Sequence, residues 1–184
     1  MGRADQYLEE LKREFAGLAI VKKEDDALSG VIDRLLRVVT LGAMSTYATH
    51  YTTVFLHTIY TPSSWETRSD AERYITLRHE AVHLRQMKRY GFVVMGAMYM
   101  LPLLPLGLAW GRARIEWEAY AETLRAIAEV NGIDAARSDA VRTHIVKQFT
   151  GAAYGWMWPF PRMINGWIDA ELAQITLQAR ERVA

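Results

Sequence analysis

The stretch RHEAVHLRQ, residues 78–86, contains the pattern His-Glu-x-x-His and guides the interpretation of the whole chain. In an α-helix, His79 and His83 lie about 40° apart around the axis and one turn apart along it. Two imidazoles at this spacing can bind one Zn²⁺ ion, and Glu80 can act as a general base beside a water on that ion. The alternative is a solvent-facing helix that happens to carry two histidines. We interpret the stretch as a metal-binding helix.

The residues around this motif predict the same helix. Ser69 and Glu72 have the spacing of a capping box, which marks a helix N-terminus. Gln86, three residues beyond His83, falls near the histidine face. Apolar residues recur at helical spacing roughly opposite the histidines: Tyr74, Leu77, Ala81 and Leu84. A helix with these two faces belongs in the middle of a domain.

The composition limits the classes of protein that the chain can represent. It has 184 residues, of which 51% are hydrophobic, so we predict a single domain, residues 1–184, with a substantial core. The net charge of +1 gives no indication of nucleic-acid binding, and the absence of cysteine excludes a thiolate zinc site. Residues 1–15 lack the apolar core of a secretory signal, so we expect no signal peptide and a cytoplasmic protein.

Upstream of the metal-binding helix, the pattern changes from helix to strand. Apolar periodicity predicts N-terminal helices within residues 1–40, the first of them over Tyr7–Val21. The next segment is rich in Thr, Tyr, Val and Ile, which favour strands, and we expect two short strands, about Thr46–His50 and Thr53–Tyr60. They would form a small antiparallel sheet, about residues 46–60, packed on the metal-binding helix.

Downstream of the motif, the sequence predicts further helices. One covers Arg112–Val130 and ends at a cap formed by Asn131-Gly132, another ends near Phe149, and the last covers about residues 162–182. We therefore predict an α+β fold that is mainly helical, with a catalytic core over about residues 45–165.

Residues 91–110 form an uncharged stretch about as long as a membrane span. A single span would separate the motif from everything after it by roughly 30 Å of hydrocarbon. Pro102 and Pro105 would also interrupt a helix in its second half. We prefer a helix to about Met100 followed by a loop, packed in the core or in peripheral or re-entrant contact with a membrane.

A catalytic zinc site needs a third protein ligand and an open position. The helix after the apolar stretch offers three acidic residues, Glu116, Glu118 and Glu122. Glu116 and Glu118 lie about 200° apart on a helix, so both cannot face one metal ion. An ordinary amphipathic helix with its acidic residues in solvent is the alternative.

The motif His79-Glu80-x-x-His83, followed by Glu116-x-x-Ala119, resembles the gluzincin metallopeptidases. These include thermolysin-like enzymes, membrane prenyl-proteases and small single-domain minigluzincins. The segments LRHEAVHLRQ and YGWMWPF are also similar to bacterial proteins of this type, and the resemblance covers roughly residues 45–165.

This resemblance implies a set of metal ligands. Glu116 would be the third zinc ligand, and Glu118, with Glu122 as its acidic partner, is the alternative. Tyr120 stands where the family usually has an aspartate that orients a ligating histidine, so this departure puts that contact in doubt.

The implied activity is zinc-dependent hydrolysis of a peptide or protein, with Glu80 as the general base. Tyr154 and His144 are the candidates for a donor that stabilises the developing oxyanion. The strand Thr53–Tyr60 would bind an extended substrate at the edge of the cleft.

Two functions of other classes stay open at this point. Zinc could stabilise a non-catalytic binding domain, or the chain could be a membrane-associated module that works through residues 91–110. His50 and His57 could also reach a metal site, although a histidine in a sheet is more often hydrogen-bonded there.

Overall fold

The computed structural model describes residues 1–22, 52–55, 57–100, 109–151 and 156–181. In chain order, the elements are α1 (Arg3–Glu14), β1 (Ala19–Lys22), β2 (Thr53–Phe55), β3 (Thr58–Thr61), a 3-10 helix (Ser63–Thr67), α2 (Asp70–Met100), α3 (Trp110–Asn131), α4 (Ile133–Ala136), α5 (Asp139–Thr150) and α6 (Pro161–Glu181).

The chain divides into two compact units, Met1–Met95 and Gly96–Ala184. Helices dominate both, and the sheet lies in the first unit. The predicted class, mainly helical with a small sheet, is therefore confirmed. The prediction of one domain over residues 1–184 stays a prediction.

The sheet is mixed, with the strand order β1-β3-β2. β3 pairs in parallel with β1, where Ile20 lies beside Ile59, and antiparallel with β2, where Val54 lies beside Ile59. Ile59 is fully buried at the centre of this arrangement. The prediction of an antiparallel sheet is therefore wrong, because a parallel strand from the N-terminal segment joins it. The predicted strand Thr46–His50 lies outside the described residues.

This parallel strand comes from a segment that was predicted as helix. The helix expected over Tyr7–Val21 ends at Glu14 instead. Gly17 has a φ of +80°, a left-handed conformation that glycine adopts without steric cost and that does not continue a helix. Ile20 and Val21 are β-branched and favour the extended strand that follows.

The segment predicted as one strand over Thr53–Tyr60 is a hairpin of two strands, with His57 exposed in the turn between them. β3 is paired on both sides and offers no free edge for an extended peptide. The predicted substrate-binding edge is therefore wrong for the β3 half of the segment. Within the described sheet, β2 pairs with a strand on one side only.

The N-terminus of α1 is held against the first residue of α2. The carboxylate of Asp70 accepts hydrogen bonds from the backbone N–H groups of Arg3, at 2.9 Å, and Ala4, at 3.2 Å. A carboxylate at this position also interacts favourably with the helix dipole. A Cβ atom on Gly2 would collide with the Asp70 carboxylate, so glycine is what permits this close approach. The contact fixes the start of the helix that carries the metal-binding motif.

The predicted capping box of α2 is confirmed. The backbone N–H of Glu72 donates to Ser69 Oγ at 3.2 Å, and the backbone N–H of Ser69 donates to Glu72 Oε2 at 2.8 Å. The helix reaches Met100, where the sequence predicted its end, but Gly91, with a φ of +76°, interrupts it. Among the described residues, no helix is long and apolar enough to cross a membrane. Residues 101–108 lie outside them.

The second unit has an aromatic-rich core formed by α3, α5 and α6. Trp117 packs against Trp167 and Phe149, with ring centroids 5.4 Å and 6.5 Å away. Aliphatic side chains fill the space around these rings: Leu124, Ile145, Ile164 and Ile168. Gly132, with a φ of +89°, ends α3 as predicted.

An ion pair joins the end of α1 to α2. Arg85 donates from Nε to Glu14 Oε1 at 2.9 Å and from Nη2 to Oε2 at 2.7 Å. This hydrogen bonding lowers the pKa of Glu14 from its ordinary value of 4.5. We predict that Glu14→Gln lowers the free energy of unfolding by up to about 1 kcal/mol at pH 7, because both side chains are partly exposed.

The same prediction has a pH dependence. A carboxylate with a lowered pKa stabilises the fold above its ordinary pKa, and this contribution is lost as the pH falls through the lowered value. The difference between Glu14→Gln and the wild type, measured by urea unfolding, should therefore shrink as the pH falls below 4.5. A difference in the free energy of unfolding that stays constant as the pH falls would contradict this prediction. Glu10→Gln, an exposed position on the same helix, is the control.

Candidate metal centre

α2 places His79 and His83 one turn apart, with ring centroids separated by 5.1 Å and ring planes at 75°. The predicted apolar stripe of the same helix is buried: Tyr74, Leu77, Ala81 and Leu84. Packing of this stripe fixes the rotation of α2 about its axis, so the two imidazoles have a defined direction.

Glu116 of α3 completes a group of three residues that could hold a metal ion. One ligand atom from each of His79, His83 and Glu116 lies within 4.8 Å of the other two. Glu116 is 3% exposed and His83 is 9% exposed, so two of the three ligands are buried. Two imidazoles and one carboxylate form a donor set suited to catalytic zinc, which keeps a fourth position open.

The spacing of these atoms is compatible with binding. In a tetrahedral site with bonds of about 2.0–2.1 Å, neighbouring ligand atoms lie ~3.4 Å apart. Atoms separated by 4.8 Å would therefore have to approach by roughly 1.4 Å. Small rotations about side-chain bonds can supply a movement of this size, so the residues present fit a divalent metal ion.

The other acidic residues of α3 are placed differently. Glu118 is only partly buried and, within the part of the chain that the structure describes, does not belong to the metal-binding group. Glu122 pairs with Arg125 at 3.3 Å. These observations favour Glu116 over Glu118 as the third ligand.

Glu80 lies beside the first histidine and is 5% exposed. Burial of a carboxylate away from water is costly unless hydrogen bonds or opposite charges compensate it. Among the described residues, Glu80 is not one of the three grouped ligands.

His83 has a hydrogen-bond partner on its own helix. Its Nδ1 atom lies 3.0 Å from Oε1 of Gln86, which is 3% exposed. The sequence placed Gln86 near the histidine face but did not assign it this contact. The signal that could have revealed it is the i, i+3 spacing, which brings a long amide back to the ring.

Tyr120, at the position of the family's aspartate, belongs to the core of the second unit. Its ring packs against Phe149 with centroids 5.6 Å apart, and it is 6% exposed. A phenol ring packed in this way contributes to the core.

The remaining candidates lie apart from the group or outside the described residues. His144 lies on α5 at an exposed position, with its Nε2 atom 3.5 Å from the amide nitrogen of Gln148. Partial desolvation of the ring, and to a smaller extent the positive charge of Lys147, lower the pKa of His144. Neither His144 nor His57 belongs to the metal-binding group found among the described residues. Tyr154 and His50 lie outside those residues, so the oxyanion roles of Tyr154 and His144 stay predictions.

Comparisons of this chain with protein-family models, curated proteins and solved structures found no match. The resemblance to gluzincins therefore rests on the motif and on the group formed by His79, His83 and Glu116.

The choice of the third ligand can be tested by elemental analysis after reconstitution with zinc. We predict about one zinc per chain in the wild type and in Glu118→Ala, and a loss of zinc in His83→Ala and Glu116→Ala. Loss in Glu118→Ala with retention in Glu116→Ala would reverse the assignment. Circular dichroism of each variant shows whether a loss of zinc reflects a loss of fold.

Proposed function

We propose that this protein is a zinc-dependent peptidase in which His79, His83 and Glu116 hold the metal ion. The observation that carries the proposal is the group of two imidazoles and one carboxylate, in which Glu116 is buried, with a further buried carboxylate, Glu80, adjacent to His79 in the chain. The chemistry that zinc supplies in such a site is polarisation of a carbonyl group and activation of a water.

The arrangement of the two histidines in a His-Glu-x-x-His sequence favours zinc as the metal. Imidazole nitrogen and carboxylate oxygen are borderline and hard donors, and three of them with one open position is the usual ligand set of catalytic zinc. The chain has no cysteine, so a thiolate site of the structural type is not available to it.

The buried position of Glu80 beside the first histidine favours a hydrolytic function over metal binding alone. A structural site requires its ligands and has no need of an additional buried carboxylate beside the first histidine. As a general base, Glu80 would take a proton from the attacking water and deliver it to the leaving amine of the peptide. The low exposure of Glu80 keeps bulk water from competing for that proton.

A second function, a non-catalytic domain stabilised by zinc, is favoured by one observation. His83 and Glu116 are almost completely buried, as ligands of a closed structural site are. The two functions differ in what they require of Glu80, which only the peptidase needs.

The test is the substitution Glu80→Gln. It preserves the shape of the side chain and one acceptor oxygen but removes the base, so we predict full zinc binding and a loss of peptide hydrolysis by about 10²- to 10⁴-fold. Hydrolysis is measured with a quenched fluorescent peptide library, and zinc by elemental analysis.

The matched control is Glu129→Gln, which makes the same change at an exposed position on α3 and should leave both readouts unchanged. Unaltered turnover in Glu80→Gln would contradict the peptidase mechanism. Zinc binding with no hydrolysis of any peptide by the wild type would favour the stabilised binding domain.

We also propose a peripheral membrane contact through the segment that follows Gly91. Phe92, Val93 and Val94 are 52%, 80% and 47% exposed, an apolar surface at the start of the uncharged stretch. Exposed apolar side chains in a row are typical of surfaces that meet another molecule or a lipid interface.

Vesicle sedimentation tests this contact. We predict that Val93→Asp reduces binding of the protein to phosphatidylcholine and phosphatidylglycerol vesicles, because the carboxylate would have to leave water on insertion. Leu177→Asp, at a residue of α6 that is 58% exposed, is the control and should bind as the wild type does. Equal binding by Val93→Asp and the wild type would contradict a contact at this position.

A further inference from the structure

Gln86 is a buried amide within hydrogen-bonding distance of a metal-ligand candidate. Its Oε1 atom lies 3.0 Å from Nδ1 of His83, and its side chain is 3% exposed. A buried amide is tolerated when its polar atoms find partners, because leaving them unsatisfied destabilises the fold. The ring of His83 is such a partner.

The direction of this hydrogen bond determines which nitrogen can bind metal. An amide oxygen only accepts hydrogen bonds, so this contact is a hydrogen bond when Nδ1 of His83 carries the proton. A neutral imidazole has one N–H group, and the lone pair therefore remains on Nε2. Nε2 is the nitrogen that can then coordinate a metal ion.

We infer that Gln86 is a positioning residue that holds His83 as the Nδ1–H tautomer with Nε2 directed to the metal. The role in metal binding rests on the proposed function. The tautomer of His83 does not, because it is a property of the metal-free protein. Partners of this kind orient ligating imidazoles, and their loss typically reduces metal affinity 10- to 100-fold.

The test compares Gln86→Met with Gln86→Glu. Methionine has a similar length but no strong acceptor, so we expect the Nε2–H tautomer to become the major form and the zinc affinity to fall about 10- to 100-fold. Glutamate restores an acceptor, so Gln86→Glu should keep the Nδ1–H tautomer and bind zinc at least as tightly as the wild type.

Two measurements on the full chain give the answer. Nitrogen-15 NMR of the metal-free protein at a pH where the ring is neutral identifies the His83 tautomer, with His83→Gln used to assign its signals. Competition with a chromophoric chelator gives the dissociation constant for zinc. Neither readout depends on peptidase activity.

Gln148→Met is the matched control, since Gln148 is also buried and contacts a histidine, His144, one turn away on α5. It should leave the zinc affinity and the His83 tautomer unchanged.

An Nε2–H tautomer of His83 in the wild type would overturn the inference. So would an unchanged zinc affinity in folded Gln86→Met. If Gln86→Met does not fold, Gln86→Glu tests the inference instead. Loss of the Nδ1–H tautomer or of zinc binding in Gln86→Glu would also overturn it. A wild type that has the Nδ1–H tautomer but binds no zinc would overturn the proposed function and leave the positioning by Gln86 intact.

Discussion

The burial of the Glu116 carboxylate close to two imidazoles is the constraint on which the candidate site depends. Glu116 is 3% exposed, and a buried negative charge costs several kcal/mol unless donors or an opposite charge lie nearby. With both histidines neutral, the ligand group carries one net negative charge and offers three lone pairs within 4.8 Å. Three lone pairs this close together form a group that could hold a divalent cation.

The geometry of the site is a consequence of how α2 is fixed. The capping box of Ser69 and Glu72 sets where the helix begins, and Asp70 ties that end to α1. The buried stripe on the opposite face then fixes the rotation of the helix, so that His79 and His83 cannot turn into solvent without exposing apolar surface. The metal-binding face is thus positioned by contacts that involve no metal ligand.

The sequence predicted features that depend on local spacing and missed those that depend on distant pairing. The helix of the motif, its cap and its apolar stripe follow from residues within a few turns, and all were confirmed. The parallel pairing of Ala19–Lys22 with β3 joins segments about 40 residues apart in the chain, which no local pattern indicates. Helical periodicity through Leu18 concealed the break at Gly17.

Charge balance gives a reason for the neutral partner of His83. Glu80 and Glu116 are both buried carboxylates. A third carboxylate, in contact with His83, would add to the metal-free protein the cost of desolvating a further charge. An amide at Gln86 accepts the same hydrogen bond without adding charge. This contact to His83 is made from within α2, and Tyr120 packs against Phe149 in the core of the second unit.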